Sequence, residues 1–152
     1  MIETLNWIDK SAWADGEWQQ EPDRVEWVYL GLPCLIVRQD PGFLCGYVGI
    51  PPTHPYYGKD WTNNELKSIQ VHGKITFSKA SQQSDDPRAV CHQLLPITDN
   101  YWWVGFDCTH SEDISPIIVN IFNYRDATYK NLEFVKNQVE YLAQQLSTLK
   151  TE

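Results

Sequence analysis

The chain has 152 residues, 42% of them hydrophobic and 21% charged, which is the length and composition of one globular domain. Its formal net charge of −8 argues against binding to long nucleic acid, which requires a basic surface. No apolar run approaches the roughly 20 residues that cross a membrane, and the acidic, Trp-rich N-terminus lacks the pattern of a secretory signal. We therefore expect a cytoplasmic protein with one domain over residues 1–152.

The first part of the chain predicts a lead-in followed by a hairpin. Residues 1–27 carry four tryptophans among acidic residues and glutamines, and we expect an irregular segment whose indoles cover the edge of the core. Two β-prone runs follow, over roughly 33–39 and 43–50, and the tripeptide Asp40-Pro41-Gly42 separates them. Proline presets φ and glycine accepts the left-handed conformation of a turn, so these runs predict a β-hairpin.

The middle of the chain predicts one loop and several strands. Residues 51–61 contain three prolines, which exclude regular structure. Residues 68–78 alternate apolar and polar side chains, which predicts a half-exposed strand. Residues 79–88 read as a loop and 89–97 as a short strand. Residues 101–108 form the best strand pattern, with Trp102, Val104, Phe106 and Cys108 on one face and Tyr101, Trp103, Gly105 and Asp107 on the other.

A sustained apolar stripe predicts a helix over about 127–149, with Asp126 at the N-cap. The stripe consists of Leu132, Val135, Val139, Leu142, Leu146 and Leu149. Such a stripe lies either on a sheet of the same chain or against a second copy in a coiled coil, so a homo-oligomer through this helix stays open. We predict an α+β fold in which the helix packs across an antiparallel sheet.

Histidines and carboxylates near strand ends are the candidate catalytic residues. His110 closely follows the 101–108 strand and lies near Asp107 and Asp113 in sequence. A carboxylate bonded to the imidazole would fix its tautomer and raise its basicity. His72, next to Gly73 in the predicted 68–78 strand, is the second candidate. The alternative is that each histidine makes a structural hydrogen bond.

Aromatic rings beside cations predict a site for a base and a phosphate. The candidates in the 51–61 loop are His54, Tyr56, Tyr57 and Lys59. The candidates elsewhere are Arg38, Thr76, Trp103 and Arg125. Arginine binds phosphate in a bidentate manner, which favours Arg38 and Arg125 among the cations. The alternative for the tyrosines is a hydrophobic plug over the edge of the sheet.

The four cysteines lie far apart and contain no C-x-x-C pair, so we expect buried thiols rather than disulfides. A zinc site of Cys45, His72, Cys108 and His110 is chemically feasible but lacks the short paired spacings of structural zinc sites. We therefore predict no metal and no cofactor. The sequence also lacks a phosphate-binding glycine loop, a nucleophile elbow and an H-E-x-x-H motif.

Four segments together resemble a family of small phage, prophage and bacterial proteins. They are CGYVGIPPTHPYYGK, VHGKITFS, WWVGFDCTHSEDISP and YRDATYKNLEFVKNQVEYLAQQL, and the likeness covers roughly residues 33–149. The positions that match the family pattern are His54, His72, Asp107, His110, Asp113, Cys45 and Cys108. Lys74 departs from it, because it replaces the second glycine after His72. The resemblance implies a viral or mobile accessory gene expressed in the bacterial cytoplasm, and it implies no established activity.

Three functions follow as hypotheses. The first is a phage-type accessory protein that binds a small nucleotide-like ligand, for example an anti-defence protein that sequesters a nucleotide second messenger. The second is a phosphodiesterase or nuclease with His72 and His110 as an acid–base pair, in which Asp107 or Asp113 orients one of the histidines or holds a metal. The third is a protein-interaction module that uses residues 1–27. We favour binding, because no nucleophile has an obvious activating neighbour and the metal spacing is poor.

Overall fold

A computed structural model of the chain describes residues 3–11, 13, 15–39, 42–80, 86, 89–90, 100–108 and 129–148. The strands in these ranges are β1 Glu3–Leu5, β2 Arg24–Tyr29, β3 Leu32–Arg38, β4 Leu44–Ile50, β5 Phe77–Ala80 and β6 Trp102–Asp107. They form one antiparallel sheet in the order β1-β2-β3-β4-β6-β5. The helices are a 3-10 turn at Glu17–Gln20, α1 Asn64–Lys67 and α2 Leu132–Ser147. The predicted α+β fold, with a long C-terminal helix packed on an antiparallel sheet, is confirmed.

The hairpin predicted around residues 40–42 is formed by β3 and β4, which pair from Cys34 with Val48 to Arg38 with Leu44. Gly42 takes a φ of +104°, in the region that glycine tolerates best, while residues 40 and 41 lie outside the described part. The preceding hairpin, β2 to β3, was not predicted. Its two-residue turn has φ of +54° at Leu30 and +78° at Gly31, as in a type I′ turn.

The two faces of the sheet carry separate hydrophobic cores. On the helix side, the α2 stripe packs on the sheet through Val135, Val139, Leu142 and Leu146, which are fully buried. On the opposite side, a smaller core contains Leu35, Val37, Cys45, Tyr47 and Trp103. Strand β6 contributes to both sides, so its predicted alternation is confirmed. Because the stripe is buried within the chain, it is not available for the coiled coil considered as an alternative.

Helix α2 is shorter than predicted. Residues 129–131 are not helical, and Asn131 rather than Asp126 is the N-cap, since its side chain accepts a hydrogen bond of 2.8 Å from the Phe134 N–H. Asp126 and Leu149 lie outside the described residues. None of the helices in the described ranges is long and apolar enough to cross a membrane.

Two other predicted elements differ from the structure. Most of the strand predicted over 68–78 is absent, because residues 70–76 are turns and irregular backbone and β5 begins at Phe77. The N-terminal 27 residues are not a simple irregular lead-in, since β1 and the start of β2 lie in them. Of the strand predicted over 89–97, the two described residues Ala89 and Val90 form a bend and a turn.

Candidate functional site

The 51–61 loop has a fixed backbone that three elements hold in place. Inside the loop, successive turns close through hydrogen bonds of 2.9–3.1 Å, which run from His54 N to Pro51 O, from Tyr57 N to His54 O and from Lys59 N to Tyr56 O. At its end, the indole of Trp102 in β6 donates to Lys59 O at 3.0 Å. The Trp61 N–H donates to Ser78 Oγ in β5 at 2.7 Å. The third attachment, to α2, is made by His54.

Three aromatic residues lie in or beside this loop, and we call Tyr57, Trp61 and Trp102 the aromatic patch. The rings of Tyr57 and Trp102 lie 6.1 Å apart at an interplanar angle of 54°. Trp61 is 41% exposed, and Tyr57 and Trp102 are half-buried. Tyr56 and Trp102 both pack on the helix-side core. The patch therefore presents partly accessible rings on backbone that hydrogen bonds hold in one conformation.

His54 uses both ring nitrogens inside the protein. Its Nε2 lies 2.8 Å from Leu146 O in the last turn of α2, and its Nδ1 accepts from the Tyr56 N–H at 3.0 Å. A carbonyl oxygen can only accept, so Nε2 carries the proton and the ring is the neutral Nε2–H tautomer. We predicted His54 as a ligand-binding residue, and the structure places its imidazole between the loop and α2.

The chain next to the aromatic patch is locally basic. Residues 59–80 contain four lysines and two acidic residues and therefore have a net charge of +2. The rest of the chain has a net charge of −10, which gives the overall net charge of −8. Lys67, Lys74 and Lys79 are exposed and Lys59 is half-buried. Lys59 lies in the loop itself, and its backbone carbonyl accepts from the Trp102 indole. Lys79 pairs with Trp103 and therefore lies on the face opposite the helix.

His72 packs along α2 instead of lying in a strand. Its backbone N–H donates to Gln138 Oε1 at 2.9 Å, and its ring meets the Phe134 ring edge-on at a centroid distance of 5.2 Å. The chain turns here because Gly73 and Lys74 both have a φ of +67°. Lys74 thus occupies a left-handed position that favours glycine.

Asp107 lies on the other face of the sheet, beside Cys45 and Tyr47. Burial and the charge of Asp107 raise the pKa of Cys45 to about 12, and the same two causes, together with Cys45, raise the pKa of Tyr47 well above its usual value. A thiol with such a pKa is neutral at physiological pH and a poor nucleophile. The sheet separates Asp107 from His72, so the expected convergence of these two side chains is not found. His110, Asp113 and Arg125 lie outside the described residues.

Three further predicted binding residues are spread over the fold. Trp103 is 3% exposed in the core opposite the helix, on the face that the aromatic patch does not use. Thr76 is exposed, and its N–H donates to Gly105 O at 2.9 Å. Arg38 is fully buried. Of the predicted ligand-binding set, the structure brings together the four residues of the 51–61 loop.

Arg38 is the centre of a buried polar cluster, the Arg38 network, which joins the N-terminal segment to α2. Its five N–H donors match five contacts of 2.7–3.3 Å, which are with Asp23 Oδ1, Glu21 Oε1, Tyr129 Oη, Gly42 O and Pro22 O. The second oxygen of Glu21 accepts from the Leu132 N–H at the start of α2 at 2.7 Å. Such a saturated guanidinium stabilises the fold and has no donor left for a ligand.

The described residues contain no group of three or more His, Cys, Asp and Glu side chains placed to hold a metal ion. The zinc set considered from the sequence is divided by the sheet, because Cys45 lies in the core opposite the helix while Cys108 and His72 lie on the helix side. Cys34, Cys45 and Cys108 are buried thiols.

The sequence places Trp61 in the same loop as Tyr57, but sequence reasoning missed Trp102 as the ring that lies beside Tyr57. Trp102 is 45 positions away from Tyr57 in the chain, so only the strand pairing brings it to the loop. The sequence signal for this contact was weak, because Trp102 lies on the predicted 101–108 strand and no local pattern relates that strand to the 51–61 loop. Comparison of the chain with protein-family models, curated proteins and solved structures gives no match in any of the three.

Proposed function

We propose that this protein binds a small ligand that has a planar ring and an anionic group, of the nucleotide class, at the aromatic patch. The observation that carries the proposal is the ring contact between Tyr57 and Trp102, beside exposed Trp61, at a loop that hydrogen bonds attach to α2, β5 and β6. Stacking of a base on an aromatic side chain contributes roughly 1–3 kcal/mol and tolerates any base, because every base has a π face.

The fixed loop supports binding rather than only surface packing. Ordering a flexible loop on association costs free energy, whereas a surface that already has the bound conformation keeps more of its contact energy as affinity. Here the 51–61 loop is attached to α2, β5 and β6 before any ligand arrives. The rings of the patch therefore need little rearrangement to stack.

The local charge supports an anionic ligand. Lys59 lies in the loop beside Trp102 and can supply a cation to a ligand at the patch, in a chain that is strongly acidic as a whole. Small phosphorylated ligands need only a few local cations, in contrast to long nucleic acid. The resemblance to phage and prophage proteins extends the proposal: such binding would withhold a nucleotide second messenger from host defence.

The test is a calorimetric titration with nucleoside monophosphates, ADP-ribose and cyclic dinucleotides, in the wild type and in Trp61→Ala. We expect the substitution to weaken binding about tenfold or more, since a stacked base is worth roughly 1–3 kcal/mol. Tyr141→Ala is the matched control, because Tyr141 is also 41% exposed but lies on α2. Chromatography of the nucleotide after the titration separates binding from hydrolysis.

Two results would contradict the proposal. One is the absence of heat with every compound of the panel. The other is equal affinity in the wild type and in Trp61→Ala, which would move the binding site away from the patch. Hydrolysis of a bound nucleotide would favour the phosphodiesterase hypothesis instead.

A further inference from the structure

We infer that His54 is the positioning residue of the aromatic patch: it sets the geometry of the rings and does not touch the ligand. This inference rests on the proposed function, because it assigns His54 a role within the proposed binding site. It differs from the sequence prediction, in which His54 contacts the ligand itself.

The first step is the place of His54 in the loop. It lies three residues before Tyr57, and its carbonyl accepts from the Tyr57 N–H at 3.0 Å. Its Nδ1 accepts from the Tyr56 N–H at 3.0 Å, and its ring meets the Tyr56 ring edge-on at 5.7 Å. The imidazole therefore holds Tyr56, the residue next to Tyr57, while the backbone of His54 holds Tyr57 itself.

The second step is the attachment to α2. The last carbonyls of a helix have no partner inside the helix, and a donor at this end satisfies one of them. Nε2 of His54 is such a donor for Leu146 O, at 2.8 Å, and Leu146 itself is fully buried on the sheet. This bond thus connects the loop to the last turn of α2, 92 positions away in the chain.

The third step is that the imidazole has no nitrogen left for a ligand. Nε2 is the donor to a carbonyl and Nδ1 is the acceptor from an amide, so a ligand would have to displace one of these bonds. Two other hydrogen bonds connect α2 to the segment around Gln70. The Gln145 side chain accepts from the Gln70 N–H at 2.9 Å and donates to Gln70 O at 2.7 Å. This second pair of bonds offers a matched comparison.

The experiment separates the two bonds of His54. Asparagine places an oxygen near Nδ1 and keeps an acceptor for the Tyr56 N–H, whereas glutamine places an amide nitrogen near Nε2 and keeps a donor for Leu146 O. His54→Asn, His54→Gln and His54→Ala are compared with Gln145→Ala, which removes two bonds between α2 and Gln70. All are measured at a temperature at which circular dichroism shows the variant fully folded.

The first readout needs no ligand. The protein is labelled with 5-fluorotryptophan, and the fluorine resonances are assigned by single Trp→Phe substitutions. We expect each His54 variant to displace the resonances of Trp61 and Trp102 and to leave those of Trp18 and Trp27 in place. Gln145→Ala should leave all four unchanged. Hydrogen exchange at the amides of Tyr57 and Lys59 should accelerate in the His54 variants alone.

The second readout is affinity for the tightest-binding nucleotide of the panel. We expect His54→Asn and His54→Gln each to weaken binding about tenfold, the scale of one lost hydrogen bond, and Gln145→Ala to match the wild type. Unchanged Trp61 and Trp102 resonances in the His54 variants would overturn the inference, as would an equal loss of affinity in Gln145→Ala. If no nucleotide shifts any wild-type resonance, the proposed function fails instead, and displaced resonances in the His54 variants still establish that His54 sets the ring geometry.

Discussion

Asp23 shows how a single buried carboxylate can be kept ionised. It is fully buried, and it accepts from the backbone N–H groups of Trp7 and Ile8 at 3.0 and 2.9 Å. Lys10 and Arg38 contact its other oxygen at 2.8 and 3.0 Å. Burial alone would raise the pKa of Asp23, but the bonds from Lys10 and from the two amides outweigh burial, so the pKa lies below its ordinary value of 3.8. The carboxylate therefore stabilises the folded state in its charged form.

This pKa shift predicts a loss of stability in acid. Because the folded-state pKa lies below the unfolded value, the contribution of Asp23 is complete above about pH 4 and is lost as the pH falls further. In urea unfolding, we expect Asp23→Asn to be less stable than the wild type at pH 6. The gap in the free energy of unfolding should narrow between pH 4 and pH 3.

A suitable control is Asp15→Asn, since Asp15 is an exposed carboxylate in the same N-terminal segment. Its stability should follow the wild type closely at each pH. A gap between the wild type and Asp23→Asn that stays constant down to pH 3 would show that the buried charge does not carry the pH dependence.

Single residues were the hardest to predict from the sequence. The 51–61 loop was singled out as a group of aromatic and cationic side chains, but the partner of His54 lies 92 positions away and Arg38 contacts Tyr129 at a separation of 91. No local pattern encodes contacts at such distances. Arg38 and an exposed phosphate-binding arginine look alike in sequence, and only tertiary burial distinguishes them.

Secondary-structure elements were predicted well where a local period is backed by packing. The β3–β4 hairpin and the β6 strand fit this description, because their alternation matches two buried faces. Residues 68–76 alternate in sequence too, but the backbone is left-handed at Gly73 and Lys74. Hydrogen bonds from the backbone of this segment to the side chains of Gln138 and Gln145 hold it against α2. Tertiary contacts therefore override the pattern there.

The contact between α2 and β4 depends on a glycine. A Cβ on Gly46 would lie 2.5 Å from Val139 Cγ2 and 2.7 Å from ring atoms of Phe106. We expect Gly46→Ala to cost about 1–3 kcal/mol by overpacking. In urea unfolding, the double variant with Val139→Ala should lose at least about 0.5 kcal/mol less than the sum of the single variants, since the smaller side chain makes room.

Gly49 offers the control for this cycle. It lies on the same strand, but a Cβ there would meet Pro33 and Trp103, on the opposite face, at 3.0 and 3.2 Å. Gly49→Ala and Val139→Ala should therefore be additive. Additivity of Gly46→Ala with Val139→Ala as well would mean that the helix shifts as a body instead of clashing at this point.

The molecule as a whole is a sheet with a core on each side, an arrangement that the sequence predicted only in part. The apolar stripe of α2 required one buried sheet face, and this was expected. The second core was not expected, although its residues lie on β3, β4 and β6, in segments that the sequence predicted as strands. The contribution of β2 to the helix-side core was missed as well, because Val25 and Trp27 were assigned to a lead-in. Aromatic content indicated a large core but not its division.

Two thiols report on the two cores separately. Burial and nearby Glu140 raise the pKa of Cys34 to about 12 on the helix side, and Cys45 has a similar pKa in the core opposite the helix. We expect neither to react with iodoacetamide at pH 8 in the native protein. Along a urea series, mass spectrometry should show both becoming reactive over one transition, because a sheet shared by two cores favours two-state unfolding.

Reaction of Cys45 at clearly lower urea than Cys34 would contradict this expectation. It would mean that the core opposite the helix opens while α2 is still docked, so that the two sides unfold as distinct units. The intensity-weighted tryptophan emission, recorded in the same samples, gives an independent transition midpoint for comparison.

The position of α2 in the chain has a consequence for biosynthesis. All six described strands precede this helix, so a ribosome completes the sheet before it begins the element that shields one of its apolar faces. During that interval the nascent chain exposes an apolar surface to which chaperones or neighbouring chains can bind. A pause in translation before the helix is synthesised would thus be expected to favour aggregation of the nascent chain.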